Sequence, residues 1–135
     1  MNNIKKIGLG ITIAVALFAV ACGGSSSNDP NSPSGVTRRF VEAARQKDAK
    51  TFKSLLSKRS IASVEKDAKE VGISADQMLT KTLEQNLFPA GSSALETRNE
   101  QITGDTATVE FKGGDGKWLQ NELVREDNNW KVTLE

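Results

Sequence analysis

Residues 106–126 read TATVEFK, GGDG, K and WLQNELVRE, and this stretch decides the architecture. Over 106–112 polar and apolar positions alternate strictly, which puts Ala107, Val109 and Phe111 on one side. Period two is the mark of a strand with one buried face. Residues 113–116 carry three glycines and an aspartate and read as a hairpin turn. They precede no helix and lack the Gly-Lys-Ser/Thr ending that a phosphate loop requires. Residues 118–126 then form the returning strand.

Outward from this hairpin the pattern continues. Asp127-Asn128-Asn129 is a turn, and Trp130, Val132 and Leu134 alternate through a last strand over 129–134. Upstream, Thr103-Gly104-Asp105 is another turn. It follows a weaker strand over 94–102, where Glu96, Arg98 and Glu100 are expected to share one face, as at a sheet edge. Before residue 92 the period is helical. Val36, Phe40, Ala43 and Ala44 line one side of a helix over 36–47. Asp48 is expected to cap a short second helix that turns Phe52, Leu55 and Leu56 inward. Ser60 is expected to open a third, with Ile61, Val64, Ala68 and Val71 inward and Gly72 as its left-handed stop. Ser74 and Gln77 form a capping-box pair ahead of a fourth, whose stripe is Met78, Leu79, Leu83 and Leu87 and which Pro89 ends. Helices first and an antiparallel meander second define an α+β domain over 36–135, with the helices on one face of about four strands.

The first 35 residues read differently. Lys5 and Lys6 precede a 14-residue run over 7–20 that is apolar apart from Gly8, Gly10 and Thr12. A spanning helix needs about 20 apolar residues, so this run fits a secretory signal better. It ends in Ala19-Val20-Ala21-Cys22 and then Gly23. These positions resemble the lipobox of bacterial lipoproteins, although Ala19 stands where Leu is usual. The resemblance implies cleavage between Ala21 and Cys22, a diacylglycerol on the Cys22 thiol and an acylated new amino terminus. Residues 1–21 are then the signal peptide, and the membrane is a partner through the lipid. Gly23 rather than Asp after the lipidated cysteine favours an outer membrane facing the periplasm in a diderm host. In a monoderm host the location is the outer face of the cytoplasmic membrane. Residues 23–35, GGSSSNDPNSPSG, have little to bury and are expected to form a disordered tether.

Composition narrows the chemistry. The 135 residues include 18 Lys and Arg, 17 Asp and Glu, one Cys and no His or Tyr, for a net charge of +1. Loss of residues 1–21 removes Lys5 and Lys6 and takes that charge to −1. No basic stripe points to nucleic acid, and no polybasic run suggests a second membrane signal. Without His, a Ser-His-Asp triad, a Cys-His dyad and a His/Cys zinc site are excluded. Asp115, Asp127, Asn128 and Asn129 lack the spacing of a calcium loop. No metal or cofactor is expected.

The helix opening at Val36–Phe40, Lys47-Asp48-Ala49 at a break, Gly104-Asp105 before an alternating strand, and Leu123-Val124-Arg125-Glu126 leading to Trp130-Lys131-Val132 resemble the nuclear-transport-factor-two-like superfamily, the cystatin-like cone. That resemblance implies a curved sheet wrapped on a long helix, a pocket at the open end of the cone, and dimerisation through the sheet. Some members are isomerases or dehydratases that use a pocket Asp or Glu with a His or Tyr. The latter two residues have no counterpart here. Glu110 lies out of phase with Val109 and Phe111 and is expected to be solvated. Glu122 shares a face with Trp118 and Val124 and is the better base if that face lines the cone. Phe40, Phe111, Trp118 and Trp130 are expected to line a pocket or fill the core. The expectation is a non-catalytic envelope lipoprotein that binds a small apolar ligand or a protein partner through the cone or sheet. The alternative is an isomerase- or hydrolase-like enzyme using a pocket carboxylate.

Overall fold

The computed structural model describes residues 29–85 and 94–134. The signal peptide, Ala21, Cys22, Leu87 and Pro89 lie outside the described residues. Four helices, α1 (Pro33–Arg45), α2 (Ala49–Ser54), α3 (Lys58–Glu70) and α4 (Ala75–Glu84), precede four strands, β1 (Thr97–Thr103), β2 (Thr106–Lys112), β3 (Trp118–Glu126) and β4 (Asn129–Thr133). The strands form one antiparallel sheet in the order β1-β2-β3-β4. The architecture is α+β. Among the described residues no helix is long and apolar enough to cross a membrane.

Helix α1 begins three residues before Val36, because Ser32 and Pro33 supply a start signal. The Ser32 hydroxyl accepts the Gly35 N–H at 3.0 Å, and Pro33 takes the first helical position, where no N–H is needed. Ser32 also donates to the Asp29 carbonyl at 2.7 Å. Residues 29–35, expected to belong to a disordered tether, are therefore ordered, and Ser32, Pro33, Ser34 and Gly35 are buried. Residues 23–28 of the expected tether lie outside the described residues.

The end of α1 is a Schellman turn. Asp48 N–H reaches the Ala43 carbonyl at 2.9 Å, Lys47 N–H reaches that of Ala44 at 3.2 Å, and Lys47 takes φ 57°. Asp48 then caps α2 by accepting from Thr51 at 3.0 Å. Helix α3 is capped by Ser57, which accepts the Ser60 N–H, rather than by Ser60. The Ser60 hydroxyl has another partner, the Leu134 N–H of the last strand's end, at 2.9 Å. Gly72, at φ 73°, stops α3 as its position suggests, but Val71 caps the helix and is 64% exposed rather than inward. The Ser74–Gln77 capping box is present, and Leu79 and Leu83 of α4 are buried.

The helices cover one side of the sheet. Ala107, Val109 and Phe111 of β2, Leu123 of β3, and Trp130 and Val132 of β4 meet Val36, Phe40 and Val41 of α1 and Phe52, Leu55 and Leu56 from the α2 region. Phe40 and Phe52 stack with ring centroids 4.4 Å apart. The segment after α2 runs parallel to β4, where Ser57 N–H meets the Val132 carbonyl and Val132 N–H meets that of Leu55, both at 2.8 Å. This pairing covers an edge that would otherwise template association. Asp127 and Asn128, at φ 50° and 62°, make the two-residue hairpin between β3 and β4.

Strand β1 departs from strict alternation. Between Arg98 and Gln101 the register shifts, and Asn99 sits at φ 51°. The bulge separates residues expected to share a face. Arg98 bonds to Glu110 on the open side, while the Glu100 carboxylate turns to the helix layer and accepts the Ser34 N–H.

Candidate functional site

The two faces of the sheet have opposite characters, set by the phase of β3. Asn121 and Leu123 point to the helices and are buried. Trp118, Gln120, Glu122 and Val124 therefore project from the other face, which no described helix covers. On the helix side lies the hydrophobic core of the described residues. Its main polar feature is a buried hydrogen bond from the Asn121 amide to the Thr37 hydroxyl at 3.1 Å. A polar residue in the inward phase of β3 was the available signal for this pair, but its partner is 84 positions away.

Phe40, Phe111 and Trp130 are brought together in the core. Trp118 is not with them. It is half-buried on the open face, with the Arg98 guanidinium 3.8 Å from its ring centroid and the Lys112 ammonium at 5.9 Å. Arg98 Nε also donates to Glu110 Oε2 at 2.6 Å, and Asn99 Nδ2 donates to the same oxygen at 2.8 Å. Lys112 pairs with Glu96 at 3.1 Å. The bond from Arg98 holds the Glu110 carboxyl below its ordinary range; some desolvation opposes this, and Asn99 adds to the lowering. A stacked arginine above a tryptophan is worth about 0.5–1 kcal/mol at an exposed site and fixes the ring's orientation.

Glu122 is exposed on this open face. It borders a groove of about 480 Å³ with Thr106, Thr108, Val124 and Arg59. The face that carries Glu122 and Trp118 does not line the interior of the cone. The sequence reading missed Arg98, because the bulge that frees it from Glu100 is not visible in the alternation. Asp127 is paired with Lys58 at 2.9 Å, and Asp115 accepts the Lys117 N–H at 3.1 Å. Among the described residues no group of acidic residues is arranged to hold a metal ion.

No protein-family model and no curated protein sequence matches the chain. Among solved structures, it superposes on a Campylobacter jejuni protein provisionally named an NTF2-like transpeptidase, with a TM-score of 0.56. The chain has an NTF2-like fold. The match covers 76% of this chain and 98% of the Campylobacter protein at 16% identity. At that identity the likeness establishes the NTF2-like fold, and the named activity stays with the neighbour.

Proposed function

We propose that this chain is a bacterial envelope lipoprotein, held by lipid on Cys22, whose NTF2-like domain is a non-catalytic module that binds a protein partner across the open face of its sheet. The observation that carries this reading is the division of the sheet. Its helix-facing side is occupied by the chain's own residues, including Phe40, Phe111 and Trp130. The open face presents Trp118 under Arg98. Aromatic and arginine side chains are the groups that most often anchor protein interfaces. A small apolar ligand in the cone would have to share that side with this core cluster. The enzymatic alternative asks Glu122 to act as a base, and Glu122 is exposed on the face opposite the helices.

The anchor rests on Ala19-Val20-Ala21-Cys22. Triacylation would hold the protein stably, since two or more chains suffice. The location follows as the periplasmic side of the outer membrane in a diderm host, or the outer face of the cytoplasmic membrane otherwise.

A photocrosslinking residue in place of Gln120, at the centre of the open face, tests the module in cells. Adducts from position 120 and none from Lys66, exposed on α3, are expected. An adduct at twice the chain mass identifies a second copy as the partner. Absence of any adduct from position 120 rejects the reading. Replacement of Cys22 by Ser tests the anchor separately, and retention in the membrane fraction would refute it.

A further inference from the structure

Near Asn31, before the start of α1, there is a second, polar cavity of about 220 Å³. Its wall includes Asn31, Arg39, Asn128, Asn129, Trp130 and Lys131. Two of these are cations and three are amides, and no carboxylate lines it. Asp29 stands beside the wall and accepts the Asn31 N–H at 2.9 Å, Asp127 pairs with Lys58, and the Asn129 amide donates to the Asp127 carbonyl at 2.8 Å. Lys131 Nζ is positioned by a bond to the Ser54 carbonyl at 2.6 Å, which leaves two of its three donors. Arg39 is exposed at the rim.

We infer that this cavity is a phosphate-recognition site that takes the anionic phosphodiester headgroup of a membrane lipid. The chemistry is that of phosphate recognition generally, with a planar guanidinium, an ammonium and amide side chains lining one concavity. Its place in the chain selects the source. Asn31 is nine residues from Cys22, and nine residues cannot span more than about 30 Å even fully extended. A lipidated Cys22 therefore keeps the cavity close to the headgroup layer.

The domain as a whole is not drawn to anionic lipid, because the chain beyond residue 21 carries a net charge of −1. The effect is one of orientation. The acyl chains supply affinity, and Arg39 with Lys131 decides which end of the domain meets the membrane. These cations are far apart in sequence, so no polybasic run announces them.

The inference rests on the lipoprotein reading for its choice of source, and its test is independent of acylation. Every described element lies within residues 33–133, so residues 22–135 with Cys22→Ser contain the whole of the described fold. Binding of this chain to phosphatidylglycerol vesicles is compared with binding to phosphatidylcholine vesicles by sedimentation. Preference for phosphatidylglycerol is expected, with Arg39→Gln weakening it about fivefold and Arg39→Gln with Lys131→Gln about thirtyfold. Arg59→Gln removes the same charge beside the sheet groove and should leave binding unchanged. Equal losses from Arg39→Gln and Arg59→Gln would overturn the site, since only general charge would then matter. Inorganic phosphate is the second arm, followed through the amide resonances of Asn128 and Asn129. Shifts with phosphate but no vesicle binding would overturn the headgroup assignment in favour of a soluble phosphate. No response to either ligand would reject the cavity altogether. If Cys22→Ser left the protein in cell membranes while vesicle binding followed Arg39, the anchor would fail and the cavity would stand.

Discussion

The Glu100 carboxylate accepts the backbone N–H of Ser34 at 2.8 Å, so an edge strand caps the first turn of a helix 66 positions earlier. Pro33 has no N–H to satisfy, Gly35 donates to the Ser32 hydroxyl and Val36 to the Ser32 carbonyl. With Glu100 in place, the opening turn of α1 has partners for its donors, and a negative charge sits at the positive end of the helix dipole. Glu100→Ala should cost about 1–2 kcal/mol of unfolding free energy, read as a lower urea midpoint at unchanged m-value. Glu100→Gln keeps an acceptor without the charge and should lose roughly half as much. Equal stability of both variants and the parent would show that the bond contributes nothing.

Gly35 faces two opposing effects. In a helix interior Ala is favoured over Gly by about 1 kcal/mol. Here a Cβ would lie 2.1 Å from the Asp29 carbonyl oxygen and 2.7 Å from Pro30 Cα, both backbone atoms of the segment that folds back over the helix start. Gly35→Ala must therefore displace residues 29–30, and a net loss of about 1–3 kcal/mol is expected in denaturant unfolding. A gain of stability would mean that the contact of residues 29–30 with α1 is worth less than the helix propensity of alanine.

Acid should weaken the domain, and Glu110 should be one reason. Its folded pKa lies below the ordinary value of 4.5, chiefly through the bond from Arg98. A carboxylate of depressed pKa contributes stability that is present above its unfolded value and lost as pH falls through the folded one. Asp48, Asp115 and Asp127 shift in the same direction through Thr51, Lys117 and Lys58 respectively. Urea midpoints measured from about pH 7 down to pH 3 should fall, and Glu110→Gln should flatten that fall without abolishing it. A slope unchanged by the substitution would remove Glu110 from the list of contributors.

Much of the fold is legible along the chain. Alternation in residues 106–112 and 129–133 marks β2 and β4 with their inward faces, and Ser74 with Gln77 marks the start of α4. These signals are local, because a strand's period and a helix's cap depend on neighbours a few positions away. The same locality explains the misplaced cap of α3. Ser60 has the right chemistry for a cap, but Ser57 takes that role by accepting the Ser60 N–H, and the Ser60 hydroxyl goes to the Leu134 N–H.

Alone, the sequence determined the order of the elements, the positions of most turns, and the signal-like start that ends at Cys22. Tertiary structure decided which side of β1 and β3 is inside. An alternating segment offers two faces, and the bulge at Asn99 swaps them within β1, so Glu100 caps α1 while Arg98 covers Trp118. It also decided that Glu122 faces away from the helices and that Arg39 and Lys131 share one cavity. Where both faces of a strand are mixed, as in β1 and β3, its phase is set by the packed layers, and so is every long-range contact.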